Sequence, residues 1–207
     1  MILPDNQRAR DQAAAVIKRG GIVAFRTDTF YGLGVDPFNH AALHRLKELK
    51  GREDAKPILV LIADAQEVDR FISPRSELFD RVCEEFWPGP LTLVGQARQE
   101  LAEELTARSG TIGIRLPDHA DVRELVRACG GALTATSANV AGQPPARTAP
   151  EVETYFADRV DLIIDGGAVS ITEPSTVLYV TGAEPRLIRE GAVTIKELEE
   201  TLNLVSL

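Results

Sequence analysis

Lys47-Glu48-Leu49-Lys50-Gly51-Arg52-Glu53-Asp54-Ala55-Lys56-Pro57, running into Ile58-Leu59-Val60-Leu61-Ile62, is the stretch on which the reading of this chain turns. Its first residues close a helical pattern over residues 41–49. Gly51 is free to take backbone angles that other residues avoid, and the apolar run reads as a buried strand. Helix, loop and strand in that order imply an α/β fold with a cationic loop at the edge of a sheet. Lys50, Arg52 and Lys56 crowd into seven residues of a chain whose formal net charge is −8. Like charges held together repel unless an anion neutralises them, so the loop marks a candidate phosphate or carboxylate site. A solvated helix end is the competing reading, with the cations facing the negative end of the helix dipole and Glu53 and Asp54 balancing them. On the loop alone both readings stand.

Working outward, 207 residues are enough for one sizeable core. A hydrophobic content of 44% and a charged content of 26% are ordinary for a soluble globular protein, and no apolar stretch approaches the roughly 20 residues that a membrane span needs. Met1-Ile2-Leu3-Pro4-Asp5 shows no basic segment followed by an apolar one, so no signal peptide and a cytoplasmic location are expected. Cys83 and Cys129 lie in helical patterns without a Cys-x-x-Cys spacing. Buried, reduced thiols are therefore expected rather than a disulfide, a zinc site or a nucleophile. The acidic balance argues against broad nucleic-acid binding, which depends on a basic surface; any contact with RNA would be local or supplied by a partner.

Upstream of the loop, Asp5 is a candidate N-cap for a helix with Ala9, Ala13, Val16 and Ile17 inward and Gly20-Gly21 at its end. A strand over 22–25 leads to Arg26-Thr27-Asp28-Thr29-Phe30-Tyr31-Gly32-Leu33-Gly34, where hydroxyls and glycines let a backbone approach a ligand closely, or simply form a tight turn. His40 and His44 have a helical i,i+4 spacing but no third metal ligand in a fitting motif. Downstream, helices are expected at 64–71 and 76–86. Trp87-Pro88-Gly89-Pro90 ends the second and delivers a strand at 91–94. Residues 111–116 alternate like a strand with Thr111, Gly113 and Arg115 on one face, which makes Arg115 a candidate anion clamp or an exposed edge arginine. Asp118 caps a helix running to Cys129. The strand 133–136 then opens into Ser137-Ala138-Asn139, at the strand end where open α/β sheets place ligands. Thr148 with Glu151, and Thr194 with Glu197, fit capping boxes, and strands are expected at 160–164, 177–180 and 185–189. With no repeat, linker or low-complexity segment, one domain over 1–207 is the simplest organisation.

The chain has no Gly-x-x-x-x-Gly-Lys-Ser/Thr loop, no Gly-x-Gly-x-x-Gly after a strand, no Gly-x-Ser-x-Gly elbow and no cysteine-rich metal motif. It offers instead hydroxyls and cations at strand ends: Thr27 and Thr29, Arg52 and Lys56, Thr111 and Arg115, Ser137 and Asn139, Ser175 and Thr176, and Arg189. Such a set, poor in histidine and without paired acids, suits positioning and charge neutralisation more than proton shuttling. Phosphate chemistry fits it best.

In order along the chain, Thr27-Asp28-Thr29-Phe30-Tyr31-Gly32-Leu33-Gly34, Lys50-Gly51-Arg52 with Lys56-Pro57, Trp87-Pro88-Gly89-Pro90-Leu91-Thr92, Gly113-Ile114-Arg115-Leu116-Pro117-Asp118-His119, Ser137-Ala138-Asn139, Ser175-Thr176-Val177 and Arg189-Glu190-Gly191 resemble the signatures of the YrdC family of L-threonylcarbamoyladenylate synthases. The resemblance is to short, single-domain members. It implies a YrdC/RibB-like twisted sheet of mixed parallel and antiparallel strands, flanked by helices around a concave basic cavity. It also implies synthesis of threonylcarbamoyl-AMP and pyrophosphate from L-threonine, bicarbonate or CO2, and ATP with Mg2+. A threonylcarbamoyl-transferase complex and tRNA would act downstream, and double-stranded RNA could be bound weakly.

Carried over by motif, Arg52 and Lys56 are expected to hold the ATP phosphates, with Lys50 adding positive potential. Thr111, Ser137 and Asn139 line the nucleotide and carbamate region, and Arg189 faces the nucleotide. Thr29, Arg115 and Ser175 are expected to hold threonine, Arg115 as a planar fork for its carboxylate. The catalytic set is Lys50, Arg52, Lys56, Ser137 and Asn139; the metal travels with ATP rather than on protein ligands. Two residues depart from the pattern. Arg26 stands where many members have proline, leaving the loop less rigid or adding an anion contact, and Leu61 stands where some have histidine near the threonine site. Two rival functions use the same cavity: an RNA-binding or ribosome-maturation protein, and a carbamoyl-phosphate-dependent carbamoyltransferase. The acidic charge and 5% aromatic content weigh against the first. The lack of acylphosphatase-like and zinc-finger-like segments weighs against the second.

Overall fold

The structure, a computed structural model, describes residues 1–51, 57–170, 173–182 and 184–203. In chain order the elements are β1 (Ile2–Pro4), α1 (Gln7–Lys18), β2 (Val23–Arg26), β3 (Tyr31–Gly34), α2 (His40–Lys50), β4 (Leu59–Ile62), a 3-10 helix (Ala65–Arg70), α3 (Glu77–Phe86), β5 (Leu91–Gln96) and α4 (Glu103–Thr106). They continue as β6 (Thr111–Arg115), α5 (Ala120–Ala128), β7 (Ala132–Ser137), α6 (Ala149–Phe156), a second 3-10 helix (Ala157–Arg159), β8 (Leu162–Asp165), β9 (Thr176–Tyr179), β10 (Arg186–Arg189) and α7 (Ile195–Leu202).

Among the described residues the ten strands form one mixed sheet in the order β1-β8-β2-β3-β7-β4-β6-β5-β9-β10. The pairs β1–β8, β8–β2, β4–β6 and β5–β9 are parallel, and the others antiparallel. The expected α/β fold with a mixed, helix-flanked sheet is what the chain adopts.

Alternation along the strands sorts residues onto two faces. Ala24, Val60, Ile62, Leu91, Leu93, Ile112, Ile114 and Leu178 point into the larger apolar cluster, which also takes in Leu43 and Leu46 of α2, Phe79 and Val82 of α3, and Leu198 and Leu202 of α7. On the opposite face Val23, Phe25, Leu61, Leu133, Leu162 and Ile164 meet Ala9, Ala13 and Ile17 of α1 and Val122, Leu125 and Val126 of α5. Arg10 ties these two helices together, donating to Asp121 at 2.8 Å and to Asp5 at 2.7 Å.

Local chemistry differs from the sequence reading at several ends. Asn6, not Asp5, caps α1 by accepting from the Ala9 amide at 3.0 Å, because Asp5 is engaged by Arg10. The helix expected at 64–71 is a 3-10 turn without a side-chain cap, and α5 starts after His119 rather than Asp118. The Thr148 and Thr194 hydroxyls do cap α6 and α7, on the amides of Glu151 and Glu197. The largest difference is β3, in a stretch readable as a turn. Tyr31 and Leu33 enter the core while Gly34 lets the strand lie close to its neighbours, since a Cβ there would stand 2.9 Å from the Thr134 carbonyl and 2.8 Å from the Phe25 ring. Gly51 ends α2 at a left-handed φ of 56°, as its place in the opening stretch suggests.

Candidate active site

The register of the sheet builds the site. Leu61 on β4 pairs with Leu133 on one side and Arg115 on the other, so Arg115 continues the face that α1 and α5 cover farther along the sheet. From there Gly113 pairs with Val94, Thr92 with Val177, and Tyr179 with Arg186, which carries the same face out to the sheet edge. A register shift between Leu187 and Arg189 sets Arg189 opposite Val177, so both arginines of β10 join that face. The result is a cavity of about 570 Å³ whose walls include Thr29, Thr111, Arg115, Ser137, Ser175 and Arg189. Six of the candidate residues thus meet in one concavity.

Arg115 is 2% exposed. Its Nη2 donates to Asp28 in an ion pair, while its Nε is buried without a partner. Burial pushes the pKa of this guanidinium below its usual value, Asp28 pulls it back up, and the nearby positive charge of Arg189 pushes it down again. A desolvated cation with one carboxylate and a second cation nearby is electrostatically suited to a further anion. Arg189 is also lowered by burial, and its Nη2 donates to the Ser175 carbonyl at 2.8 Å and to the Ser175 hydroxyl at 3.4 Å. The Thr92 and Ser175 hydroxyls lie 3.0 Å apart.

The Thr27–Thr29 turn closes on itself. The Thr27 hydroxyl donates to the Phe30 carbonyl at 2.6 Å, accepts from the amides of Thr29 and Phe30 at 3.2 Å, and lies 3.2 Å from the Thr29 hydroxyl. Behind it the Tyr31 hydroxyl donates to Asp165 and to the Gly167 carbonyl, and burial raises its pKa further than the Asp165 charge does.

Lys50 and Asn139 stand behind the cavity wall. Lys50 is buried, and its Nζ donates to the Ser137 carbonyl at 2.6 Å, to the Asn139 carbonyl, and to Asn139 Oδ1 at 2.9 Å. The Ser137 hydroxyl donates to the same Oδ1 at 2.6 Å, and Asn139 Nδ2 donates to the carbonyls of Val140 and Gln143. Lys50 therefore clamps the turn that presents Ser137. Arg52 and Lys56 lie outside the described residues; Pro57, the next residue after Lys56, lines the cavity.

Asp28 and Thr92, which touch Arg115 and Ser175, are the neighbours of the candidate residues that the sequence reading passed over. Alternation along β5 would have found Thr92, because it shares a face with Val94 just as Gly113 shares one with Arg115; nothing local pairs residue 28 with residue 115. Of the two departures, Leu61 lines the cavity, whereas Arg26 turns away from it and donates to His119 Nε2 at 2.9 Å. His40 and His44 each lie beside one acid, Glu104 at 3.5 Å and Glu48 at 3.6 Å. Among the described residues no three His, Cys, Asp or Glu side chains converge as a metal site, and no helix is long and apolar enough to cross a membrane.

Comparison with known proteins points in one direction. A family model described as telomere recombination, covering Sua5, YciO and YrdC, matches residues 15–191. A threonylcarbamoyl-AMP synthase of Bacillus subtilis is 36% identical over 192 residues, which is 92% of this chain and 56% of that protein. One of Halorhodospira halophila is 33% identical over 165 residues, 80% of this chain and 86% of that protein. The crystal structure of Pyrococcus abyssi Sua5 complexed with L-threonine superposes with a TM-score of 0.94 at 30% identity, over 100% of this chain and 62% of that one. The chain thus spans a little over half of its longer relatives and most of a shorter one.

Proposed function

This chain belongs to the Sua5/YciO/YrdC family, and from that premise we propose that it is an L-threonylcarbamoyladenylate synthase, a nucleotidyltransferase that makes threonylcarbamoyl-AMP and pyrophosphate from L-threonine, bicarbonate or CO2, and MgATP. The observation that carries the proposal is Arg115: a buried guanidinium, balanced by one carboxylate, lining a cavity that also holds Arg189. The threonine carboxylate pairs with Arg115, and the hydroxyls of Thr29 and Ser175 hold the rest of the amino acid. That part of the reading is supported by the threonine complex of the Pyrococcus relative.

The chemistry then asks the protein mainly for placement. The threonine nitrogen attacks CO2, forming the C–N bond and releasing a proton to solvent. A carbamate oxygen next attacks the α-phosphorus in line, and the bond from that phosphorus to the pyrophosphate oxygen breaks. Mg2+ carried by ATP would supply charge neutralisation for the leaving pyrophosphate. Arg189 and Thr111 face the nucleotide, and Ser137, presented by the Lys50 and Asn139 clamp, faces the carbamate. Arg52 and Lys56 are assigned to the phosphates on their motif alone. No covalent enzyme intermediate is required.

We further read residues 1–207 as one domain acting in the cytoplasm, supplying its product to a transferase complex that modifies tRNA beside the anticodon, with at most weak contact to double-stranded RNA. The test is pyrophosphate release from MgATP by the purified chain, comparing L-threonine, L-serine and no amino acid, each with and without bicarbonate. Release that requires both threonine and bicarbonate supports the reading. Release indifferent to threonine, or RNA binding without turnover, sinks it.

A further inference from the structure

Arg26 immediately precedes the Thr27–Thr29 turn and Asp28 lies within it, and both reach across to one segment. Asp28 pairs with Arg115, the last residue of β6, and Arg26 Nη1 donates at 2.9 Å to Nε2 of His119, which immediately precedes α5. The turn is stiffened by the Thr27 hydroxyl, and the receiving segment is held by Arg123, which donates to the Pro117 carbonyl at 2.6 Å. Two rigid pieces joined at two points keep a fixed spacing; joined at one point, they can pivot.

The Arg26 contact is specific to that pair. A guanidinium only donates, so in this contact Nε2 of His119 is the acceptor. The carboxylates that could otherwise take Arg26 are engaged. Asp5 and Asp121 receive Arg10, and Asp165 receives the Tyr31 hydroxyl and the Gly167 amide. Arg26, His119 and these three acids line a separate cavity of about 220 Å³; Arg26 Nε and His119 Nδ1 are buried without hydrogen-bond partners, Asp121 lying 3.9 Å from the latter. Such an arrangement gains little stability from its buried polar groups, so its value is sought in geometry.

We propose that Arg26 and His119 are positioning residues that hold the Thr27–Thr29 turn against Arg115 and so set the distance across which the threonine is gripped. This rests on the reading that Thr29 and Arg115 hold threonine. Neither residue faces the main cavity, and neither touches substrate. Losing their hydrogen bond loosens one binding partner relative to the other, which weakens threonine more than ATP.

Calorimetric titration of the purified chain with L-threonine, and separately with MgATP, tests this. Arg26→Met and His119→Leu are each expected to raise the threonine Kd about three- to tenfold, because only part of the free energy of a charge-assisted hydrogen bond that touches no substrate reaches the binding step, with the MgATP Kd held within about twofold. His119→Gln, which keeps an acceptor near the Nε2 position, is expected to bind threonine like the wild type, and the Arg26→Met/His119→Leu double variant no worse than the weaker single one. Should His119→Leu fail to fold, Arg26→Met and His119→Gln carry the comparison. Unchanged threonine affinity in Arg26→Met, or equal losses for threonine and MgATP, overturns the proposal. If the wild type binds no threonine at all, it is the underlying functional reading that fails, and this inference with it.

Discussion

Leu133 and Arg115 flank Leu61 in register on one face of one sheet, and both are almost fully buried. They differ in what buries them. Leu133 lies under α1 and α5 among Val23, Phe25 and Leu162, where only apolar surface can cover apolar surface. Arg115 lies beyond those helices, where Asp28 provides the compensating charge and a cavity opens above it. The strands are locked by the opposite face, where Val60, Ile62, Leu93 and Ile114 are buried in the larger core. Once that face sets the register, alternate residues are fixed in direction but not in kind. A covered half makes them a second core and an uncovered half makes them a site.

The two halves should therefore break differently. Leu133→Ala is expected to cost about 2–5 kcal/mol of stability in urea unfolding, the range for a buried leucine that leaves a cavity, while the threonine KM of the folded fraction stays within about twofold. Arg115→Met is expected to reduce threonine-dependent pyrophosphate release about 100-fold or more, the scale seen when one charge-stabilising donor is lost from a dry site. It also strands the Asp28 carboxylate, so stability falls too. Adding Asp28→Asn to that variant removes the stranded charge and is expected to recover stability without recovering activity. If Leu133→Ala alters threonine binding as strongly as Arg115→Met does, the division between the halves is wrong.

A smaller effect tests the uncovered half from within. Thr92 and Ser175 sit on neighbouring strands with hydroxyls 3.0 Å apart, and Arg189 adds a donor to Ser175. Thr92→Val keeps the shape and removes the hydroxyl. The threonine KM is expected to rise about threefold to tenfold, the value of one neutral hydrogen bond, with little change in urea midpoint. Equal changes in the KM values for threonine and ATP would show that Thr92 supports the cavity floor rather than Ser175.

How much of this was legible beforehand follows the same division. The alternation of Thr111, Gly113 and Arg115, the apolar run before Ile62, and the capping threonines at 148 and 194 are local patterns, and each was read from neighbouring residues. Tyr31–Gly34 was not recognised as a strand because half of its residues are glycines, whose strand role depends on the close approach of Thr134 and Phe25 from elsewhere. The partnership of Asp28 with Arg115 joins positions 87 apart, and that of Arg26 with His119 positions 93 apart. The shift that turns Arg189 onto the cavity face is a property of the β9–β10 pairing and of no single residue. Residue types pointed to a candidate anion site; only the register shows which of them share one cavity.

The weakest effect expected is also the one that reports on the two layers separately. Cys83 packs against the larger core and Cys129 against the cluster beneath α1 and α5. Burial, the largest cause for both, pushes each thiol up to about 12, with Asp80 and Glu84 adding to the rise at Cys83 and Arg75 opposing it. Above the ordinary thiol range the unfolded chain loses these protons while the folded chain keeps them. The native state then binds more protons than the unfolded state, so stability falls as pH rises from about 9 towards 12. Between pH 8 and pH 10 each thiol is expected to remove on the order of 1 kcal/mol from the unfolding free energy, and Cys83→Ala or Cys129→Ala should each recover its own share. Both residues are half-buried rather than fully buried as expected, and alkylation under native conditions distinguishes the layers, since such a thiol reacts faster when its surroundings open. Leu133→Ala is expected to speed labelling of Cys129 with little effect on Cys83. If both thiols accelerate together, the two faces of the sheet open as one unit, and the covered half and the larger core are a single cooperative structure from which the site borrows its rigidity.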